Sequence, residues 1–162
     1  SKYKITMKGK MVENLTFRDF GVDEEEVKKV RAELKFAVNL GLITDDSLQG
    51  VESRRLAKEA ETTAALGENK IVYGLSSYSR QAYIRYELTR FRLDFISEAP
   101  AVNYKYTDIS EKDATDFYEK NRDLYTRANG ESFEFDEVRL IVKKKIRELE
   151  YEKNVNLLCE QL

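Results

Sequence analysis

The run Asp136-Glu137-Val138-Arg139-Leu140-Ile141-Val142-Lys143-Lys144-Lys145-Ile146-Arg147-Glu148-Leu149-Glu150-Tyr151, continued by Val155 and Leu158 to Leu162, decides the fold. Val138, Ile141, Val142, Ile146, Leu149, Val155, Leu158 and Leu162 recur at helical spacing and are predicted to face inward. With no Gly or Pro to interrupt it, the run predicts one helix of roughly 26 residues, about 40 Å long at 1.5 Å per residue. A helix of that length buries its stripe only against several partners, and the rest of the sequence must supply them.

The partners are legible upstream. In residues 77–97, Ile84, Leu88, Phe91 and Phe95 recur at spacings of four, three and four, and Tyr78, Tyr83, Tyr86 and Leu93 widen that face. Arg80, Arg85, Arg90 and Arg92 supply the polar edge, and Pro100 ends the element. A helix led by Asp23 as N-cap, with Glu24, Glu25 and Glu26 in its first turn, carries Val27, Val30, Leu34, Ala37 and Val38 and closes at Gly41. A third runs from Asp45 or Asp46 to Leu66, with the narrow stripe Leu48, Val51, Leu56, Ala60 and Ala64. A fourth begins at Ser110, with Asp113 as a capping-box partner and Ala114, Phe117, Tyr118 and Leu124 inward. Extended structure is expected only at Tyr3 to Met11, as a stretch or small hairpin, and at Lys70 to Gly74. Thr126 to Glu131 reads as a turn. The fold class is therefore mainly α, one helical domain over residues 1–162 with an extended N-terminal segment at 1–22.

Composition narrows the function. Charged residues make up 36% of the chain, with 28 basic and 30 acidic side chains giving a net charge of −2. An electrostatic nucleic-acid binder shows a basic excess or stripe, and Lys143-Lys144-Lys145 is flanked by Glu137, Glu148 and Glu150, so no nucleic-acid partner is expected. No apolar run is long enough to span a bilayer. Position 1 is Ser rather than Met, so the start of the chain is not read as the start of the protein.

The sequence has no histidine, which removes the commonest general base and the favoured zinc ligand together. Cys159 has no partner for a disulfide and no histidine to activate it. The carboxylate pairs Asp45 with Asp46 and Asp113 with Asp116 lie where helix starts already explain acidic residues. No calcium loop, phosphate-cradling loop or di-iron motif is present, so no catalytic residue, metal or cofactor is assigned. Ten Tyr and eight Phe without Trp are the remaining signal. Phe91 and Phe95 read as core. Tyr78, Tyr83, Tyr86 and Tyr118 read either as core or as an adaptable polypeptide-binding surface, since tyrosine combines contact area with a polar tip.

The segment Ile109 to Tyr125, ISEKDATDFYEKNRDLY, followed by Ser132 to Val138 and by the long helix ending Tyr151 to Leu158, resembles the SurA and PrsA class of exported foldases, most clearly over residues 107–162. Glu52 to Arg55 and Val72-Tyr73-Gly74 are similar to a looser pattern of that class. The family inserts a prolyl isomerase domain of parvulin type where only Thr126 to Glu131 stand here, so the resemblance implies a chaperone domain without isomerase activity. It implies an ATP-independent protein that is not an enzyme, acts outside the cytoplasm and binds unfolded or exported polypeptides. A membrane tether outside this chain, of lipid-anchor type, belongs to the same expectation. On that reading the aromatic face of residues 78–95 stands partly open in a groove. The alternative is an interaction module in which the face is buried in a helix-exchanged homodimer. An enzyme of unrecognised type is the third reading, disfavoured by the missing histidine.

Overall fold

A computed structural model describes residues 3–5, 11–68 and 77–162, with the backbone alone at 3–5 and 11–13. The chain is mainly helical: α1 is Val27–Asn39, α2 Leu48–Gly67, α3 Arg80–Ile96, α4 Glu111–Lys120 and α5 Phe135–Glu160. Short 3-10 turns stand at Phe17–Phe20 and Arg122–Tyr125. The N-terminal extended segment contains strands β1 (Tyr3–Ile5) and β2 (Met11–Glu13), antiparallel with Lys4 opposite Val12. The stretch Lys70 to Gly74, expected to be extended, lies outside the described residues.

Local chemistry sets the element ends. Thr16 accepts from the Asp19 amide while the Asp19 carboxylate accepts from the Thr16 amide, so a capping box starts the first 3-10 turn and turns Phe20 into the core. The N-cap expected at Asp23 is not used. Residues 23–26 form a turn, the Glu26 amide bonding the Asp23 carbonyl, and α1 starts three residues later than the sequence predicts. Its close at Gly41 is as expected: φ is +74°, and the Gly41 and Leu42 amides bond the Val38 and Ala37 carbonyls. Ser47 and Ser79 cap α2 and α3 by accepting from the Gly50 and Ala82 amides. Asp45 serves the turn ahead of α2 instead, accepting from the Ser47 amide at 2.9 Å.

Three apolar clusters result. Leu15, Phe20, Val30, Leu34, Val51, Tyr83, Ile84 and Phe91 join α1, α2 and α3. Ala32, Phe36, Leu40, Phe95, Tyr151 and Val155 join α1 and α3 to the C-terminal half of α5. Ala114, Tyr118, Tyr125, Val138 and Val142 join α4 to its N-terminal half. Helix α5 is thus a shared spine, and the stripe it buries is Val138, Val142, Arg147, Tyr151 and Val155. Ile141 and Leu149, predicted inward, are exposed, because the helices packed on the spine land on the Val138, Val142, Arg147, Tyr151 and Val155 stripe instead. On α3, Leu93 is exposed for a similar reason.

Ion pairs lock the seams. Arg54 holds the buried Glu87 with two bonds, of 2.6 and 2.9 Å. Glu52 bridges Arg55 and Arg80 between α2 and α3. Between α1 and α5, Tyr151 Oη donates to Glu33 at 3.3 Å, while Arg92 Nη2 lies 3.9 Å from Glu33 and 2.9 Å from Glu152. Burial raises the Glu33 carboxyl above its ordinary 4.5, against the opposing pull of Lys29, Arg92 and the Tyr151 bond. The folded chain therefore holds this proton more tightly than the unfolded chain. The stability it contributes is present below the unfolded value and is lost as pH rises through the folded one. Glu33→Gln keeps the Tyr151 bond and removes that loss. Urea titrations of the two proteins should show the variant more stable at pH 7 and the gap closing towards pH 4; a variant less stable at pH 7 would mean that the Arg92 contact outweighs desolvation.

Candidate functional site

Where α5 passes from its α1–α3 neighbours to α4, the fold leaves a cleft of about 780 Å³. Ile96, Ser97 and Glu98 at the end of α3 form one lip, Asp108, Ile109 and Ser110 ahead of α4 form another, and Leu140, Lys143, Lys144 and Arg147 of α5 form the base. The connection between the two lips is held down by Arg147, whose side chain is only 5% exposed. One Arg147 nitrogen donates to the Thr107 carbonyl at 2.7 Å and lies 3.2 Å from Glu98. The other terminal nitrogen reaches Glu150 at 2.8 Å, and the guanidinium lies over the Tyr106 ring at 4.8 Å. Tyr106 Oη donates to the Phe95 carbonyl at 2.7 Å, and burial together with the Glu98 charge pushes its phenol up to about 12.

Glu98 is the strained residue of the cleft. Helix α3 ends in a paired-bond cap, with the Glu98 amide on the Phe95 carbonyl and the Ala99 amide on the Asp94 carbonyl. That cap needs a left-handed residue, and Glu98 fills it at φ +52°, the only non-glycine with positive φ among the described residues. Glycine would adopt this conformation at lower cost, by about 1 kcal/mol. Glu98→Gly is therefore expected to raise stability by about 0.5–1 kcal/mol in thermal unfolding, since the half-exposed pair with Arg147 returns little. A loss above about 1 kcal/mol would show that the pair outweighs the backbone strain.

The cleft mixes charged and apolar side chains. Asp108 and Lys144 make no ion pair among the described residues, Lys143 is engaged by Glu111 at 3.2 Å, and Ile96, Ile109 and Leu140 offer apolar walls. No cluster of metal-ligating side chains occurs among the described residues.

The tyrosines singled out from the sequence lie elsewhere, in two groups. Tyr83 is buried, and Tyr78 and Tyr86 pack half-buried against it with ring centroids 5.3–5.9 Å apart. Tyr118 is buried under α5, donates to the Phe133 carbonyl and stacks with Tyr125. Glu98, Asp108 and Arg147 were not singled out, and Lys144 was weighed only as part of the basic run Lys143-Lys144-Lys145. The signals for two of them were present: an acidic residue at a helix end where glycine is usual, and an arginine on the register of the buried α5 stripe.

No family model matches the chain, and no curated protein matches it. Two solved structures share its fold, the native and selenomethionine forms of the GH136 lacto-N-biosidase from Eubacterium ramulus. Each superposes with a TM-score of 0.68 at 22% sequence identity, over 83% of this chain and 28% of that one. The chain thus spans little more than a quarter of the length of that enzyme and corresponds to a helical portion of it.

This finding corrects the foldase resemblance and what followed from it. No foldase of the SurA and PrsA class is among the matching structures, and the quoted pattern is explained by general helix chemistry. The Ser110–Asp113 capping box and the spaced aromatics at Phe117, Tyr118 and Tyr125 serve the local core of α4. The chaperone reading, with its isomerase-family assignment, falls with it. The helix-exchanged dimer is not supported either, because α1, α3 and α4 of the same chain cover the spine. The expectation that the chain is not an enzyme is overturned on the same ground, the fold being that of part of a glycoside hydrolase. Its chemical premise was also too strong. Glycoside hydrolysis runs on paired carboxyl groups and needs no histidine.

Proposed function

We propose that this chain is the helical portion of a glycoside hydrolase and that its polar cleft contacts the carbohydrate. The observation that carries the reading is the correspondence of 83% of the chain with a portion of a lacto-N-biosidase. The cleft supports it. Glu98, Asp108 and Lys144 line the cleft together with the apolar Ile96, Ile109 and Leu140, a mixture suited to sugar hydroxyls and the C–H face of a ring. The strain held at Glu98 gives that carboxylate a place that folding alone does not favour.

Titration of lacto-N-biose into the chain, followed by amide chemical shifts, tests the reading. Shifts confined to Ser97, Glu98, Asp108, Ser110 and Lys144, saturating at millimolar concentration as suits a small and open site, are expected. Asp108→Ala should abolish them without lowering the melting temperature. A folded chain that shows no shift at about ten times that concentration removes the cleft from carbohydrate recognition.

A further inference from the structure

At the α4 end of the spine, Leu124 and Ile141 stand 53% and 58% exposed on facing elements. They border an apolar groove of about 420 Å³ whose remaining walls are Tyr125, Phe133, Glu137 and Val138. Tyr125 Oη is buried there with no hydrogen-bond partner, and burial alone raises its phenol. At the rim Arg127 lies over the Phe133 ring at 4.4 Å and makes no ion pair among the described residues.

Resting on the glycoside-hydrolase reading above, we infer that this groove is the docking face for the remainder of the enzyme. The occupant is an extended segment that seats an aliphatic or aromatic side chain between Leu124 and Ile141. A carboxylate beside the anchor meets Arg127. Two observations select this occupant over a second copy of the chain. The matching fold belongs to a protein whose chain lies mostly outside it, so there is polypeptide to cover the face. The uncovered cation at the rim calls for an acidic neighbour.

The test uses the E. ramulus enzyme with its helical portion replaced by this chain, assayed on 4-nitrophenyl β-lacto-N-bioside. Leu124→Glu with Ile141→Glu should lower hydrolysis about tenfold or more, as loss of a central apolar anchor does. The isolated chain carrying both changes should melt unchanged, because both side chains already face water. A hybrid that hydrolyses equally well with and without the glutamates overturns the docking face and leaves the functional reading standing. A folded but inactive hybrid overturns the functional reading and the docking with it. Concentration-dependent dimerisation of the isolated chain, abolished by Leu124→Glu, would assign the face to a second copy and overturn the inference.

Discussion

Phe95→Ala is expected to cost about 3–5 kcal/mol, the range for emptying a fully buried aromatic site. Phe95 is 0% exposed, and its ring sits between those of Phe36 at 5.7 Å, Tyr104 at 4.8 Å, Tyr106 at 5.2 Å and Tyr151 at 5.6 Å. Those four rings come from α1, from the connection to α4 and from α5, so one side chain of α3 fixes three separate segments. Their tilted and edge-on angles add to the burial, and truncation loses both contributions. Collapse into the space is opposed because the surrounding rings are themselves held by polar tips, Tyr106 on the Phe95 carbonyl and Tyr104 on Glu150 at 2.9 Å. Urea or thermal unfolding measures the loss, which for a chain of this size corresponds to roughly 10 °C in melting temperature. A loss below about 1 kcal/mol would mean that the second cluster is not a close-packed core.

Arg147→Ala is expected to be the next most damaging change, at about 2–4 kcal/mol. The side chain holds the Thr107 carbonyl, Glu98 and Glu150 together and covers the Tyr106 face, so truncation leaves a carbonyl and two carboxylates to find water. Glu98 and Glu150 are partly exposed and can resolvate, which keeps the cost below that of exposing a fully buried pair. Arg147→Lys should recover only part of the loss, because an ammonium lacks the planar fork that serves three acceptors and stacks on a ring. The functional consequence is larger than the stability term. Arg147 ties down the segment that places Glu98 and Asp108, so lacto-N-biose shifts should disappear in Arg147→Ala even where the protein remains folded. Full recovery by lysine would show that Arg147 acts as a point charge alone.

How much of this was legible in the sequence differs from element to element. The spine helix, the α3 face from Ile84 to Phe95 and the α4 capping box were readable because helix period and cap chemistry act locally. The start of α1 was misplaced because Asp23 to Glu26 satisfies the acidic first-turn rule equally well as a turn. The inward register of α5 was misread at Ile141 and Leu149, since which apolar side chains are buried depends on where α3 and α4 land. Nothing local to α5 encodes that. The cleft was illegible for the same reason. Ile96–Glu98, Asp108–Ser110 and Lys143–Arg147 are neighbours only after three segments meet, and each alone reads as a helix end or a solvated face. The foldase resemblance shows the converse hazard, in which helix-forming chemistry common to many folds reads as a family signature.

The most direct test of the central claim is hydrolysis of 4-nitrophenyl β-lacto-N-bioside by the E. ramulus enzyme carrying this chain in place of its own helical portion. If the chain is the helical portion of a glycoside hydrolase, the hybrid should fold and release nitrophenol, whereas the same enzyme with that portion deleted should not. A folded hybrid no more active than the deletion would contradict the account and leave only a shared fold.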